Sequence, residues 1–517
     1  MSRKGTFVQP LVATVVLLAL VAACAPAPTP VVVEKEKVVE KPVVQTVVVE
    51  KEKVVEKPVV QTVVVEKEKE VMVTPTPKPL PAGAVKIVPF LTTESDPDSV
   101  DLFQQIVAEY EKTHPDVQVD MVLVGHGVED ARIVTAMAVG ADLGIIQVEP
   151  RSVPDFVEAG YLLPLDDVVK AIGEKDFKPN SRIILNGHTW AIGYAGGTHG
   201  TLWVRKDLFE KAGLEFPKTY DELLAAAKAL TQDTDGDGKI DIYGIGLPAG
   251  PDGATTARFV NFVYQNCGDY FDKEGNLVFD QPQVLEAVKR YVALLEYSPP
   301  GYTGWSWFDG LNAFMAGKVA MHPYGGRLGV NVYKADPELR DKSTVIVFPA
   351  GDKVRAGRGT YDYLAIASTA KFPDAAKDFM AFYLTGDRLA RFLLTVPGHL
   401  MPPLYSVAEL ITTMDNEYVK RYPEDVKTLF ASQDTNAEPT INMGAVDTKT
   451  CTFSPTLNPM PWAGCIFSRR PPIDAEMIQR IVINKESPED AWKWAYTEMK
   501  KCADEWKAQH PGWKPPK

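Results

Sequence analysis

The sequence predicts a two-lobed α/β protein displayed outside the cytoplasm, and three observations predict it. From Val85 onward, short apolar runs alternate with amphipathic helical stretches, which reads as mostly parallel sheets covered on both faces by helices. The body beyond Pro81 is about 435 residues long, more than one compact core holds, so two lobes are expected. Arg3 and Lys4 precede an apolar run from Leu11 to Ala23, which closes on Val21-Ala22-Ala23-Cys24. That run is too short to span a bilayer and ends in small residues before a cysteine, as a lipoprotein signal does.

Residues 1–23 are therefore expected to be removed and Cys24 to become the lipidated first residue, anchored to the cell membrane. Residues 24–83 read as a spacer, because VVVEKEKVVEKPVVQT occurs at 31–46 and again at 47–62. A unit of Val, Glu, Lys and Pro without aromatic residues has too little apolar surface to build a core. The chain carries a net charge of −13, and the part after Pro81 carries −15. An acidic body without a basic run excludes nucleic acid and anionic lipid as its natural partners.

The elements follow in order. KIVPFL (86–91) fits a buried strand, and the next helix places Val100, Phe103, Ile106, Val107 and Tyr110 on one face. VQVDMVLV (117–124) is the second strand, Val128 to Gly140 a helix, and LGIIQV (143–148) the third strand. Ligands of such sheets gather at the carboxyl ends of strands. Thr92, Glu94, Glu149 and Arg151 are the site candidates that follow.

Several segments resemble, in order, one known family. VEAGYLLPLDD (157–167), the long HTWAIGYAGGTHGTLWVRKDLFEKAGLEFPKTYDELLAAAKAL (188–230), AFMAGKVAM (313–321) and SPEDAWKWA (487–495) are similar to signature stretches of the extracellular solute-binding proteins of ABC importers, family 1, the maltose-type receptors. The resemblance covers 84–510. It implies a two-lobed periplasmic-binding-protein fold with hinge crossings, a ligand held in the cleft between lobes, and closure around it. Carried onto this chain, the first lobe comprises 84–198 and 358–387, the second 199–357 and 388–510, with 511–517 as a tail. The implied function is to bind a carbohydrate, expected to be an oligosaccharide, and deliver it to the ABC permease subunits in the membrane.

Aromatic faces stack on sugar rings, which makes Tyr194, His199, Trp305, Trp307, Tyr324 and Tyr361 cleft candidates. The alternative for each is a place in the core. GYTGWSWFDG (301–310) sets its tryptophans among glycines, where burial is harder to arrange. Relatives commonly place a Trp shortly after the A-M strand, whereas Arg327 stands here. With Arg258 and Arg151 it supplies guanidinium forks that pair with carboxylates, so an acidic sugar or other small anionic solute is the alternative ligand. The same arginines read equally as partners of lobe carboxylates.

DTDGDGKIDIYG (233–244) has the spacing of an EF-hand-like calcium loop, with Asp233, Asp235, Asp237 and Asp241 as carboxylates and Lys239 offering its carbonyl. Position 12 is Gly244 where a bidentate Glu would stand. The segment reads either as a weak structural calcium site or as an Asp/Gly-rich turn; no other cofactor is required. Cys451 and Cys465 flank a Pro/Gly-rich loop and are expected to pair, leaving Cys267 and Cys502 paired or as buried thiols. No H-E-x-x-H, C-x-x-C, G-x-S-x-G or Walker A motif is present, so an enzyme is not expected. A glycoside-active enzyme, needing only two carboxylates, and a calcium-dependent lipoprotein remain the competing classes.

Overall fold

The computed structural model describes residues 86–125, 129–349, 354–454 and 458–514. The signal segment, Cys24, the spacer and residues 515–517 lie outside the described residues.

The first strand, β1 (Lys86–Thr92), pairs in parallel with β2 (Val117–Leu123) and with β3 (Ile145–Val148). The helix Pro97–Thr113 between β1 and β2 starts on the side chain of Asp96, which accepts from the Asp98 N–H. It buries Phe103, Ile106, Val107 and Tyr110 on the face expected from periodicity, with Val100 half-buried at its margin. The short β4 (Leu162–Leu163) follows, then β5 (Arg182–Leu185) and β6 (His188–Thr198) form a hairpin. Its two-residue turn is Asn186-Gly187, both at positive φ (55° and 81°), the turn chemistry that matches strand twist.

The chain then crosses to β7 (Thr201–Arg205), which sits between β8 (Met321–Pro323) and β9 (Ser343–Val347) in an antiparallel sheet. It returns through β10 (Gly357–Ala367), which inserts antiparallel between β3 and β6. The large sheet thus runs β2-β1-β3-β10-β6-β5. Parallel pairing there is confined to β2-β1-β3 and to the short β11 (Asn436–Ala437) beside β10. The strands that bring the chain back to the crossing pair antiparallel.

Two lobes result. In the small-sheet lobe, side chains alternate along β7: Leu202 and Val204 face a core with Phe259, Tyr291 and Met477, while Trp203 faces the opposite side with Leu311 and Leu328. In the large-sheet lobe, Phe90, Phe103, Phe379 and Tyr383 form the centre of the core. The boundary expected at 388 is displaced. Leu389, Leu393, Leu400, Leu404, Val407 and Ile411 pack into that same large-sheet core rather than with the small-sheet lobe, because their apolar faces meet the helix Pro97–Thr113 and Tyr194.

Three segments cross between the lobes at Thr198–Thr201, Gly357 and Asn436. The His199 N–H donates to the Arg358 carbonyl at 2.8 Å, and the Ser432 hydroxyl and the Asn436 amide both donate to Thr198 Oγ1. Gly200 is required here, because a side chain would strike Asn436 and Gly357.

The cysteine pairing differs from expectation. Cys267 bonds to Cys451 and Cys465 to Cys502, with Cα separations of 5.1 and 5.9 Å. The fold brings each beside a cysteine distant in sequence, and all four are linked.

Candidate functional site: a cleft between the lobes

A cavity of about 400 Å³ opens between the lobes. Its large-sheet wall consists of the carboxyl ends of β1 and β3 and the residues just after them. Gln147 organises this wall: its Oε1 accepts from the Thr92 hydroxyl (2.8 Å), the Thr93 N–H (2.9 Å) and the Tyr194 hydroxyl (2.9 Å). Its Nε2 donates back to the Thr93 hydroxyl at 2.9 Å. Tyr194 and Glu94 line the cavity, whereas Thr92 is buried one residue behind the lining.

The small-sheet wall is built by the helix Gly253–Gln265 and the loop 305–308. Asp252 caps the helix by accepting from the Ala254 N–H at 2.8 Å, and its other oxygen takes the Ser306 hydroxyl. That ties the loop to the helix start. Trp307 lines the cavity; Trp305 does not, since its ring lies against Gly246. Tyr324 stacks between His322 and His399, with ring centroids 5.5 and 6.3 Å away. His199 touches both Trp307 and Tyr324, at 5.6 and 5.9 Å.

The guanidinium groups divide into two kinds. Arg327 bonds Glu94 at 2.9 Å and reaches Asp96 at 3.8 Å; Arg151 bonds Glu149 at 2.9 Å; Arg358 bonds Glu438 at 2.7 Å. These lining arginines are neutralised by lobe carboxylates. Arg258 is different: it lies behind the wall, 1% exposed, with its guanidinium over the rings of Trp307 (4.8 Å) and Tyr324 (5.0 Å).

Burial sets the protonation of the imidazoles. Burial first, then the charges of Arg358 and Arg258, hold His199 well below the usual histidine range. His322 is pushed down to about 3 by burial and Arg258, and its Nδ1 pairs with the Gly246 carbonyl at 2.7 Å. Both are neutral at physiological pH. Asp130, behind Glu149, is raised by burial and by the Glu149 charge.

Of the twelve ligand candidates read from sequence, nine line this cavity: Glu94, Glu149, Arg151, Tyr194, His199, Trp307, Tyr324, Arg327 and Tyr361. Tyr361 lies flat on Gly193 and Gly196 of β6, so backbone covers part of its ring. Thr92, Arg258 and Trp305 stand behind the lining. Gln147, Asp252, Arg358, His399 and Glu438 also line it and were not read from the sequence.

Away from the cleft, carboxylate oxygens of Asp233, Asp235 and Asp237 lie within 4.8 Å of one another. The Asp233 carboxylate accepts from the Gly236 and Gly238 N–H groups, which hold it below the usual carboxylate range. Asp241 turns aside to accept from the Thr234 N–H and hydroxyl at 2.8 and 2.6 Å. Lys239 donates from its N–H and ammonium to Asp237. Gly244 abuts the Ala227 backbone, so no glutamate fits at position 12.

A two-lobed α/β fold with a lined cleft at the strand ends defines a ligand-binding protein of the hinged receptor class. Residues 96–386 match the bacterial extracellular solute-binding proteins, and the chain belongs to that family. It is 26% identical over 345 residues to the ABC transporter periplasmic-binding protein YcjN of Escherichia coli K12, spanning 65% of this chain and 77% of that one. It is 24% identical over 285 residues to the mannitol-binding protein of Pseudomonas aeruginosa, spanning 53% and 64%. The maltose-bound MalE3 protein of T. maritima superposes with a TM-score of 0.65 at 19% identity, over 80% of this chain and 99% of that one. At that identity the likeness is one of fold. The chain is thus a substrate-binding protein of the ABC-transporter type, and among the described residues no helix is long and apolar enough to cross a membrane.

Proposed function

We propose that this protein binds a neutral carbohydrate or polyol in the interlobe cavity, without altering it, and hands it to an ABC permease. The observation that carries this reading is the cavity itself. A space of about 400 Å³ lined by Trp307, paired carboxylate–guanidinium groups and the Gln147 amide offers a ring face beside fixed hydrogen-bonding groups, which suits a polyhydroxylated solute of one to a few sugar rings. Pairing of Arg151 with Glu149 and of Arg327 with Glu94 favours a neutral ligand over an acidic one. The maltose and mannitol in the names of related proteins agree in ligand class.

Titration calorimetry with maltose, maltotriose, mannitol, an arabino-oligosaccharide and a uronic acid tests the reading. Micromolar binding of a neutral member with recovery of intact sugar supports it. Product formation, or binding of the uronic acid alone, refutes it. The same reading takes the mature protein to be an oligosaccharide receptor held by lipid on Cys24; Cys24→Ser should release it from membranes, and continued membrane fractionation would overturn that part. The loop 233–241 is taken as a weak structural calcium site. Millimolar calcium should then raise the melting temperature of wild type and leave the Asp235→Ala, Asp237→Ala variant unchanged.

A further inference from the structure

We propose that Arg258 is the positioning residue of the cleft: its buried guanidinium, held between Trp307 and Tyr324, fixes the tryptophan ring as the wall on which a ligand stacks. The two rings differ in what anchors them. Tyr324 has support on both sides, stacked on His322 and His399, and it is 4% exposed. Trp307 belongs to the loop 305–308, outside regular structure and half-buried. Phe308 beside it is 50% exposed. The loop therefore depends on side-chain anchors. At Ser306 these are Asp252, which takes the hydroxyl, and Asp309, which accepts from the N–H at 2.6 Å; at the Trp307 ring they are His199 at 5.6 Å, Arg358 at 6.0 Å and, nearest, Arg258 at 4.8 Å, on the helix that Asp252 caps.

The guanidinium spans the gap between the stacked ring and the loop-borne one, 5.0 Å from Tyr324 and 4.8 Å from Trp307. Among the described residues it forms no ion pair with a carboxylate; Nη1 donates to the Ala254 carbonyl at 3.4 Å, the Tyr324 hydroxyl is a further hydrogen-bond partner, and Nε is buried without a partner. A buried cation without a carboxylate is costly to keep. Ring faces repay part of that cost, since a desolvated cation–π contact is stronger than an exposed one. Buried behind the lining with its Cζ over the Trp307 and Tyr324 rings, the guanidinium acts through Trp307 rather than by gripping a ligand. Its charge has a second consequence, because Arg258, Arg358, His322 and His399 all face His199, with Trp307 and Tyr324 against its ring. Burial first, then the charges of Arg358 and Arg258, keep His199 neutral.

The consequence for solute binding rests on the function proposed above, whereas the packing tests need no ligand. Protein labelled with 5-fluorotryptophan, in which the Trp307 resonance is identified by its loss in Trp307→Phe, gives a direct readout by fluorine NMR. Arg258→Met should shift and broaden that resonance, and Arg258→Lys should do so less. Should Arg258→Met fail to fold, Trp307→Ala supplies the reverse arm: exchange of the Arg258 Nε–H should quicken about tenfold when the covering ring is lost. An unmoved Trp307 resonance in Arg258→Met, or unchanged Arg258 exchange in Trp307→Ala, would overturn the proposal. If all packing effects appear but no sugar binds, the positioning role stands and the solute reading fails.

Discussion

The two lobes close their cores by different means. The large-sheet lobe relies on ladders and rings: β1 pairs along its whole length with β2, and Phe90, Phe103, Phe379 and Tyr383 interlock with centroids 4.5 to 6.2 Å apart. The small-sheet lobe has strands of three and five residues, and the chain from Asn436 onward is helices joined by loops with strands of only two residues. Both disulfides lie there, one joining that late segment to the helix end at Cys267, the other tying Cys465 to the last helix at Cys502. Cross-links stand where ladders are short. The cleft divides in the same way, with strand ends and an amide network on one wall and a loop-borne ring on the other.

Opening the cross-links should break this contrast most strongly. In the chain-entropy account, the Cys267–Cys451 bond closes 184 residues and should contribute roughly 5 kcal/mol, against roughly 4 kcal/mol for the 37-residue Cys465–Cys502 loop. Urea unfolding of Cys267→Ala, Cys451→Ala should show the larger loss, and amide exchange should report lost protection around Phe271 and Val446 before β1. Equal loss of protection in both lobes would mean that the halves are one cooperative unit and the contrast is only architectural.

The joint between lobes gives the next effect. Arg340, fully buried, donates to Asp425 at 2.6 Å, and Thr344 donates to the same carboxylate at 2.5 Å. Trp203 and Tyr422 cover the guanidinium, 4.8 and 3.7 Å from their ring centres. Asp425→Ala strands a buried cation and should cost about 3–5 kcal/mol. Thermal unfolding of the single variant and of Arg340→Met, Asp425→Leu separates the pair's net worth from the penalty of breaking it; the double variant should recover most of the loss.

Much of this was legible because local chemistry recorded it. The helix face of Phe103, Ile106 and Tyr110 follows from spacing alone, and the ends of β1 and β3 were placed at the cleft by the alternation of strand and helix. The residues that escaped notice owe their positions to crossings. Arg358 and Glu438 meet from segments 80 residues apart, and Gln147 gains its role only when β6 brings Tyr194 beside it. Nothing in either neighbourhood signals such a meeting. Cysteine pairing failed for the same reason, since proximity in sequence stood in for proximity in space. Trp305 and Trp307, two residues apart, look alike in sequence and each lies against a glycine, Gly246 and Gly253, so only the fold sets one at the cavity and the other behind it.

The small-sheet lobe also carries a buried acid that should give its stability a distinct pH slope. Asp269 is fully buried and accepts from the Tyr270, Phe271 and Val446 N–H groups. Burial pushes its carboxyl up to about 7 despite those bonds. Because its folded value lies above the unfolded one near 3.8, its contribution is full below about pH 4 and is lost as pH rises through about 7. A loss of roughly 4 kcal/mol across that window is expected. Asp269→Asn should flatten the slope in chemical-denaturation series, and an unchanged slope would remove Asp269 from the account.

The smallest effect concerns the cleft wall and bears most on function. Trp307 lines the cavity while Trp305 packs over Gly246, so the two tryptophans should separate binding from stability. Trp307→Ala should weaken binding of the sugar identified by calorimetry by about 1–3 kcal/mol, on the area a ring face removes from water. The melting temperature should fall as well, since the ring that covers the buried Arg258 guanidinium is lost. Trp305→Ala should lower stability alone, opening space beside Gly246 while leaving affinity close to wild type. Calorimetry and thermal unfolding on the two variants side by side decide it. Loss of affinity in Trp305→Ala with none in Trp307→Ala would move the stacking wall away from the cavity and leave Arg258 positioning a ring that no ligand meets.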